Sequence, residues 1–420
     1  SPINFRFEMQ LQNIIGISGR KLAVISLLYF AEGVPFGLIN NALSVYFRSN
    51  QMSLENIGLL SLVGLAWSLK LLWAPLVDRF GKRHYWMVPA QLTIGLAILA
   101  LRQIDPAQPG IFLWVVMGVM ALAAATQDIA IDAYTIDILE EGELGVANGI
   151  RSGAYRVALI LSGGGVVALS AFIGWDGAFV GLFIIMAAIA SAVFFWPGCH
   201  QDHEGAHPAG QSGVIDSWIL PIRDILKRPH FFALALFILL FKVGDAMMGP
   251  MISPFWVDRG FTRIEIGLIS GTLAPIASIV GSIMGGWLTT LWGIGRAIWV
   301  LGALQAVSNL GYAYAALLTG SKFAVYGASL VESFTGGLGT AAFLAFLMRL
   351  CDKRFSATHY AFFSTIFSFS RVIAGALSGF GAAHLGYAPF FLLTFFAACP
   401  AFLLLPWVLP MVRERKTEKG

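Results

Sequence analysis

The sequence predicts an all-α polytopic membrane protein made of two similar halves, and three observations support this. The first is composition: the 420 residues are 57% hydrophobic and only 12% charged, against about 25% charged in a typical soluble domain. The second is a succession of long apolar runs, each near the roughly 20 residues that cross a bilayer as a helix. The third is an internal repeat. LLYFAEGVPFG (Leu27–Gly37) is matched by LLFKVGDAMMG (Leu239–Gly249), and MSLENIGLLS (Met52–Ser61) by FTRIEIGLIS (Phe261–Ser270). Two halves of one topology imply a pseudo-two-fold axis along the membrane normal.

Taken in order, the first half is expected to hold helices over 22–47, 54–77, 85–104, 110–135, 146–172 and 178–197. The second is expected to hold them over 230–256, 264–291, 296–318, 323–349, 358–383 and 387–409. That is six helices, a linker, and six more. The division is therefore a cytoplasmic segment 1–21, a six-helix half 22–197, a linker 198–229, a six-helix half 230–409 and a basic tail 410–420. The first apolar stretch, from about Leu22, lacks a small-residue cleavage site, so no removable signal peptide is expected.

Basic residues set the expected orientation. With both termini inside, the far face holds only Arg48, Arg102, Arg259, Arg263 and Lys322, and most other Lys and Arg of the loops fall on the cytoplasmic side. For the same reason the basic balance speaks of loop topology and not of nucleic acid. The linker opens with His200, Asp202, His203, Glu204 and His207, but Gly205 and Pro208 break any helix that would align them. A solvated linker is expected there, with metal binding by these side chains the lesser alternative. Its second part, around Trp218 and Ile219 with Arg223, Lys227 and Arg228, reads as an amphipathic segment on the inner surface. Cys199, Cys351 and Cys399 are too far apart in sequence to suggest a disulfide framework.

The stretch TQDIAIDAYTIDIL, Thr126–Leu139, closes a long uncharged run and places Asp128 and Asp132 one turn apart on one helical face. Acids inside a membrane helix cost about 2.5–3.5 kcal/mol each near the bilayer centre on insertion scales, so they are kept where they face protein or a wet cavity. The intramembrane acids are Glu32, Asp128, Asp132, Asp245 and Glu332, and the bases are Lys70, Arg151, Arg156, Lys242 and Arg371. Near-neutrality suggests pairing within the bundle. Arg151 and Arg156 are the expected partners of Asp132 and Asp128, and Lys242 can pair with Asp245 three residues on. Glu32 precedes Gly33 and Pro35, where a helix break can open backbone to a cavity. Ser162–Gly165, Gly281-x-x-x-Gly285 and Gly375-x-x-x-Gly379 permit close helix approach and, lacking a following Lys-Ser or Lys-Thr, are not phosphate loops. No nucleophile elbow, paired-His motif or Walker sequence is present, so neither an enzyme nor a bound cofactor is expected.

The loop APLVDRFGKR resembles the major facilitator loop signature. The resemblance implies a cytoplasmic gate at Asp78, Arg79, Gly81, Lys82 and Arg83. GGWLTTLWGIGR at the equivalent place in the second half carries no acid. QDIAIDAYTIDIL, SGAYRVALILSGG, FKVGDAMMG and LGTAAFLAFLMRLCDKRFSATHYAFFSTIFSFSRV resemble the AmpG-type permeases, a major facilitator branch that also contains siderophore and acetyl-CoA transporters. This resemblance runs from the first helix to the last. It implies a twelve-helix major facilitator fold in the bacterial inner membrane and proton-driven import of a small polar solute, foremost an anhydro-muropeptide. A siderophore or a CoA thioester is the alternative cargo. It also implies a polar pathway at Lys70, Asp128, Asp132, Arg156, Lys242, Asp245, Glu332 and Arg371, whereas Glu32 stands where the family's permease has a small polar residue. Glu32, Asp128 and Asp132 are the proton-coupling candidates, and Lys70, Gln127, Arg156, Lys242, Asp245, Glu332 and Arg371 the solute-binding candidates.

Overall fold

A computed structural model describes residues 19–79, 82–138, 144–196, 223, 225–227, 230–318, 320–351 and 356–413. Among them the secondary structure is helical, with no strand. Among the described residues, nine helices are long and apolar enough to cross a membrane. One of these, Ile150–Phe195, has 46 residues and is really two arms. It turns at Gly174, whose φ of +71° and ψ of 169° lie outside the helical region. We label the helices α1 (Gly19–Ser49), α2 (Leu54–Leu69), α3 (His84–Gln103), α4 (Ile111–Ile138), α5 (144–173) and α6 (175–195). They continue as α7 (Phe231–Asp258), α8 (Arg263–Trp292), α9 (Ile294–Leu317), α10 (Lys322–Leu350), α11 (Ser356–Leu385) and α12 (Tyr387–Val408).

The repeat seen in the sequence reappears in local geometry. Ser53 caps α2, its hydroxyl accepting from the Asn56 amide at 3.3 Å. The matching Thr262 caps α8 with a full capping box: its hydroxyl accepts from the Glu265 amide at 3.2 Å, and the Glu265 carboxylate accepts from the Thr262 amide at 2.7 Å. Gly174, between α5 and α6, has its counterpart in Gly386, between α11 and α12, at φ +78° and ψ 165°. This backbone region is essentially reserved for glycine. Gly174→Ala and Gly386→Ala are each expected to cost about 1–3 kcal/mol. Thermal unfolding of the two variants in detergent measures that loss, and an unchanged midpoint would mean that the turn is not strained.

The expected single helix over 54–77 is not continuous. A 3₁₀ stretch at Leu60–Gly64 and another at Lys70–Leu72 interrupt it, and the chain resumes as Ala74–Arg79. Pro75 has no N–H to give to a preceding carbonyl, so a new helix begins there and does not extend the old one. The short turn places Lys70 at a bend. A second break falls at Lys242, where φ of −109° and ψ of 8° separate Phe231–Phe241 from Val243–Asp258 inside α7.

Contacts group the chain into two units, Ser1–Gln51 with Leu69–Ala206, and Met52–Ser68 with His207–Gly420. The first unit packs around Ile25, Leu28, Tyr29, Met87, Ile131 and Tyr134. The second packs around Phe237, Ile238, Phe343, Phe346, Phe363 and Ala401, with the Phe241 and Phe343 rings stacked at 5.0 Å. Phe172, Phe195, Phe232 and Leu403 are exposed, as the apolar outer surface of a membrane helix bundle requires.

Within the second unit, Met52–Ser68 lies along α11. A Cβ on Gly58 would sit 2.7 Å from the Gly379 amide, and one on Gly375 would sit 2.5 Å from the Ser61 hydroxyl. The Ser68 and Ser368 hydroxyls meet at 2.5 Å. Gly281 and Gly285 of α8 face Phe334 and Leu338 of α10 at similar range, so the small-residue spacings do mark close backbone approach.

Candidate functional site

Two clusters of charged and polar side chains lie inside the helices, one in each unit. In the first, α4 presents Asp128 and Asp132 toward different partners. The Asp132 Oδ1 accepts from the Tyr29 hydroxyl of α1 at 2.7 Å and pairs with Arg151 of α5 at 3.1 Å. The Arg151 guanidinium also stands 4.6 Å from the Tyr29 ring centre. Asp128 is met at 3.8 Å by Lys70, from the 3₁₀ turn that ends α2. Trp73, next along that turn, donates its indole N–H to the Thr126 hydroxyl at 3.2 Å and fixes the turn against α4. The pairing thus departs from expectation in one respect: Asp128 meets Lys70, while Arg156 is exposed and makes no ion pair among the described residues. Arg151 and Arg156 are five residues apart, about 140° around a helix, so they cannot both face α4.

Glu32 is half-buried on α1, one turn beyond Tyr29, and lies within electrostatic reach of Asp128, Asp132, Arg151 and Lys70. Its Oε2 is buried without a hydrogen bond, and no cation stands within ion-pair distance of it among the described residues. Gln127 is fully buried, and neither atom of its amide is hydrogen-bonded; Gln91 of α3 is in the same condition. Such groups are costly unless water or a ligand reaches them, about 1–3 kcal/mol each.

In the second unit the focus is Lys242, at the break in α7 and 6% exposed. Its ammonium donates to Asp245 at 3.2 Å, to the Gln305 amide oxygen of α9 at 2.7 Å and to the Gly336 carbonyl of α10 at 3.3 Å. The predicted Lys242–Asp245 pair is present, and Gln305 joins it. Around this group, Thr335 donates to Ser308 at 2.8 Å, and Ser333 donates to the Glu332 carboxylate at 3.2 Å. Asn309 donates to Thr394 at 3.4 Å. Arg371 of α11 is exposed, its guanidinium 5.9 Å from the Phe367 ring centre, within cation–π range.

One end of the second unit is braced by a further set. Glu265 accepts from Lys322 at 2.7 Å and from the Tyr326 hydroxyl at 2.8 Å, joining the first turns of α8 and α10. In the first unit Arg102 and Asp176 pair at 2.9 Å. Of the expected gate, Arg83 donates to the Val77 carbonyl at 2.9 Å. The Asp78 and Arg79 side chains and Gly81 fall outside what is described. So do the linker histidines, and among the described residues no group of His, Cys, Asp and Glu is arranged to hold a metal ion.

Sequence reasoning found the acids and bases but missed Tyr29 and Gln305. Tyr29 could have been found, because it lies three residues before Glu32 and so on the same face of α1. Gln305 shares a helix face with Ser308 and Asn309, a polar stripe that could have marked it, but only the fold brings it to Lys242.

The sequence matches the profile of the Major Facilitator Superfamily over residues 25–354. It is 32% identical over 390 residues to the anhydromuropeptide permease of Escherichia coli K12, covering 91% of this chain and 78% of that protein. An uncharacterized protein of Haemophilus influenzae is 30% identical over 411 residues, covering 94% of this chain and 96% of its own. The fold is shared with a solved bacterial homologue of the lysosomal transporter Spinster (TM-score 0.74, 15% identity, 94% and 97% coverage). It is shared likewise with the nucleoside transporter NupG (TM-score 0.71, 14% identity, 93% and 98% coverage). The chain therefore belongs to the Major Facilitator Superfamily, in the branch of the anhydromuropeptide permease, and is a multi-pass membrane transporter rather than an enzyme.

Proposed function

We propose that this transporter imports anhydro-muropeptides across the bacterial inner membrane, driven by protons. The observation that carries the reading is the 32% identity to the E. coli permease along nearly the whole chain. The side chains suit it: the stem peptide of a muropeptide bears carboxylates, and Lys70 and Lys242 are cations held inside the bundle. In this reading the chain crosses the membrane twelve times in two six-helix halves, 22–197 and 230–409, with both termini cytoplasmic. Glu32, Asp128 and Asp132 serve the proton, and Lys70, Gln127, Arg156, Lys242, Asp245, Glu332 and Arg371 line the solute route. Asp78, Arg79, Gly81, Lys82 and Arg83 form the cytoplasmic gate.

The test is uptake by proteoliposomes under an imposed inward proton gradient, with labelled anhydro-muropeptide offered in one set and a ferri-siderophore in another. Muropeptide accumulation that collapses with a protonophore is expected. Accumulation of the siderophore alone would reassign the cargo, and muropeptide uptake indifferent to the protonophore would remove the proton.

A further inference from the structure

Among the described residues of the second unit, Lys242 is the most enclosed charge. A buried ammonium needs an opposite charge and acceptors for its three protons. Asp245 supplies the charge, at 3.2 Å. The Gly336 carbonyl and the Gln305 amide oxygen accept the other protons, and the Gln305 contact is the shortest of the three at 2.7 Å. Gln305 is itself only 3% exposed.

The neighbouring helix keeps room for that amide. A Cβ placed on Gly339 would collide with the Gln305 Oε1 and would lie 3.0 Å from its Cδ. Any residue but glycine at 339 would push the amide off the ammonium. The acceptor at 305 and the space at 339 are thus two separate features, on α9 and α10, serving one contact. Lysine on its own is a point charge at the end of a flexible stem. Without the amide, Lys242 keeps its charge partner but loses its direction.

We propose that Gln305 is a positioning residue that holds the Lys242 ammonium where the carboxylate of the solute can take over its contact with Asp245, with Gly339 keeping the space that Gln305 occupies in this chain. The inference rests on the reading of the chain as a carrier of an anionic solute. A neutral amide fits this role better than a carboxylate: a glutamate at 305 beside Asp245 would give the group a net negative charge and repel that solute.

The experiment uses the full chain in proteoliposomes with labelled anhydro-muropeptide, and, in parallel, acylation of Lys242 by an amine-reactive reagent followed by mass spectrometry. Gln305→Met keeps the volume and removes the acceptor. It is expected to raise the solute KM about tenfold, as losing one hydrogen bond to a charged group does, with the maximal rate little changed. Gln305→Glu should raise KM at least as much. Gly339→Ala should reproduce the Gln305→Met effect without altering any polar group, and the Gln305→Ala/Gly339→Ala double variant should be no worse than Gln305→Ala alone. Lys242 should acylate several-fold faster in Gln305→Met than in wild type, while Ser378→Ala, which removes a buried hydroxyl of α11, leaves it unchanged.

A wild-type KM together with unchanged Lys242 acylation in Gln305→Met would overturn the proposal, as would a lower maximal rate at unchanged KM. If the wild-type protein transports no muropeptide, the functional reading fails, and the acylation contrast still decides whether Gln305 holds Lys242.

Discussion

Glu32→Gln and Asp128→Asn are each expected to abolish uphill uptake while leaving exchange of solute across the membrane intact. A coupled carrier moving one proton per solute can build about tenfold accumulation for each pH unit of inward gradient, because one unit is worth about 1.4 kcal/mol. In either variant the inside-to-outside ratio is expected to fall to about 1, the value for a carrier with no coupling. Proteoliposome uptake under a fixed pH gradient reads the ratio, and counterflow of labelled against unlabelled solute reads the exchange. Accumulation at the wild-type level in both variants removes these acids from the coupling step.

The geometry explains why these two acids are singled out. Asp132 is anchored twice, by the Tyr29 hydroxyl and by Arg151, and so serves first to hold α1, α4 and α5 together. Asp132→Asn should therefore cost stability, by about 1 kcal/mol since Asp132 and Arg151 are both partly exposed, as well as removing any part Asp132 has in moving the proton. Asp128 is joined to Lys70 by a longer contact of 3.8 Å, and Glu32 has no cation at ion-pair distance among the described residues. Glu32 so placed can take and release a proton without breaking an ion pair, and protonating Asp128 weakens its long pair with Lys70.

Gly337→Ala and Gly281→Ala are expected to destabilise the second unit, and Gly286→Ala to do the opposite. A Cβ at Gly337 would meet the Ser278 carbonyl oxygen and stand 2.8 Å from the Ser282 amide. At Gly281 it would meet the Phe334 carbonyl oxygen and stand 2.9 Å from its carbon. These are backbone atoms of a packed helix, which cannot swing aside as the end of a long side chain could. Forcing α8 and α10 apart should cost about 3 kcal/mol, the upper end for overpacking. At Gly286 nothing lies within 4 Å, so alanine there gains helix propensity, up to about 1 kcal/mol. Thermal unfolding of the three variants checks the prediction, whose content is the reversal of sign. A melting point for Gly337→Ala at or above wild type would mean that the two helices are not held at the distance described.

Much of this protein is legible in its sequence, for reasons that can be traced to particular residues. Membrane helices satisfy their own backbone hydrogen bonds, so apolar run length predicts them without knowledge of the fold. The repeat was legible because Ser53 and Thr262 must cap equivalent helices. The Lys242–Asp245 pair was legible because partners three residues apart on one helix meet whatever the tertiary structure. Close approach at Gly281 and Gly285 followed from residue size.

Contacts between distant segments were not legible. The partner of Asp128 is Lys70 and not Arg156, because the 3₁₀ turn before Pro75 swings Lys70 toward α4 while Arg156 lies on the far side of its helix. Gln305 reaches Lys242 across 63 positions of sequence. Met52–Ser68 groups with the second unit although it precedes most of the first. Sequence by itself determined the class of the protein, the apolar runs that become helices and the charges those runs contain, since these depend on local chemistry and on the cost of burying a charge in lipid. Which charge meets which was decided only by the tertiary structure, since pairing depends on helix rotation and on breaks at single residues. A one-residue change in register turns a helix face by about 100°.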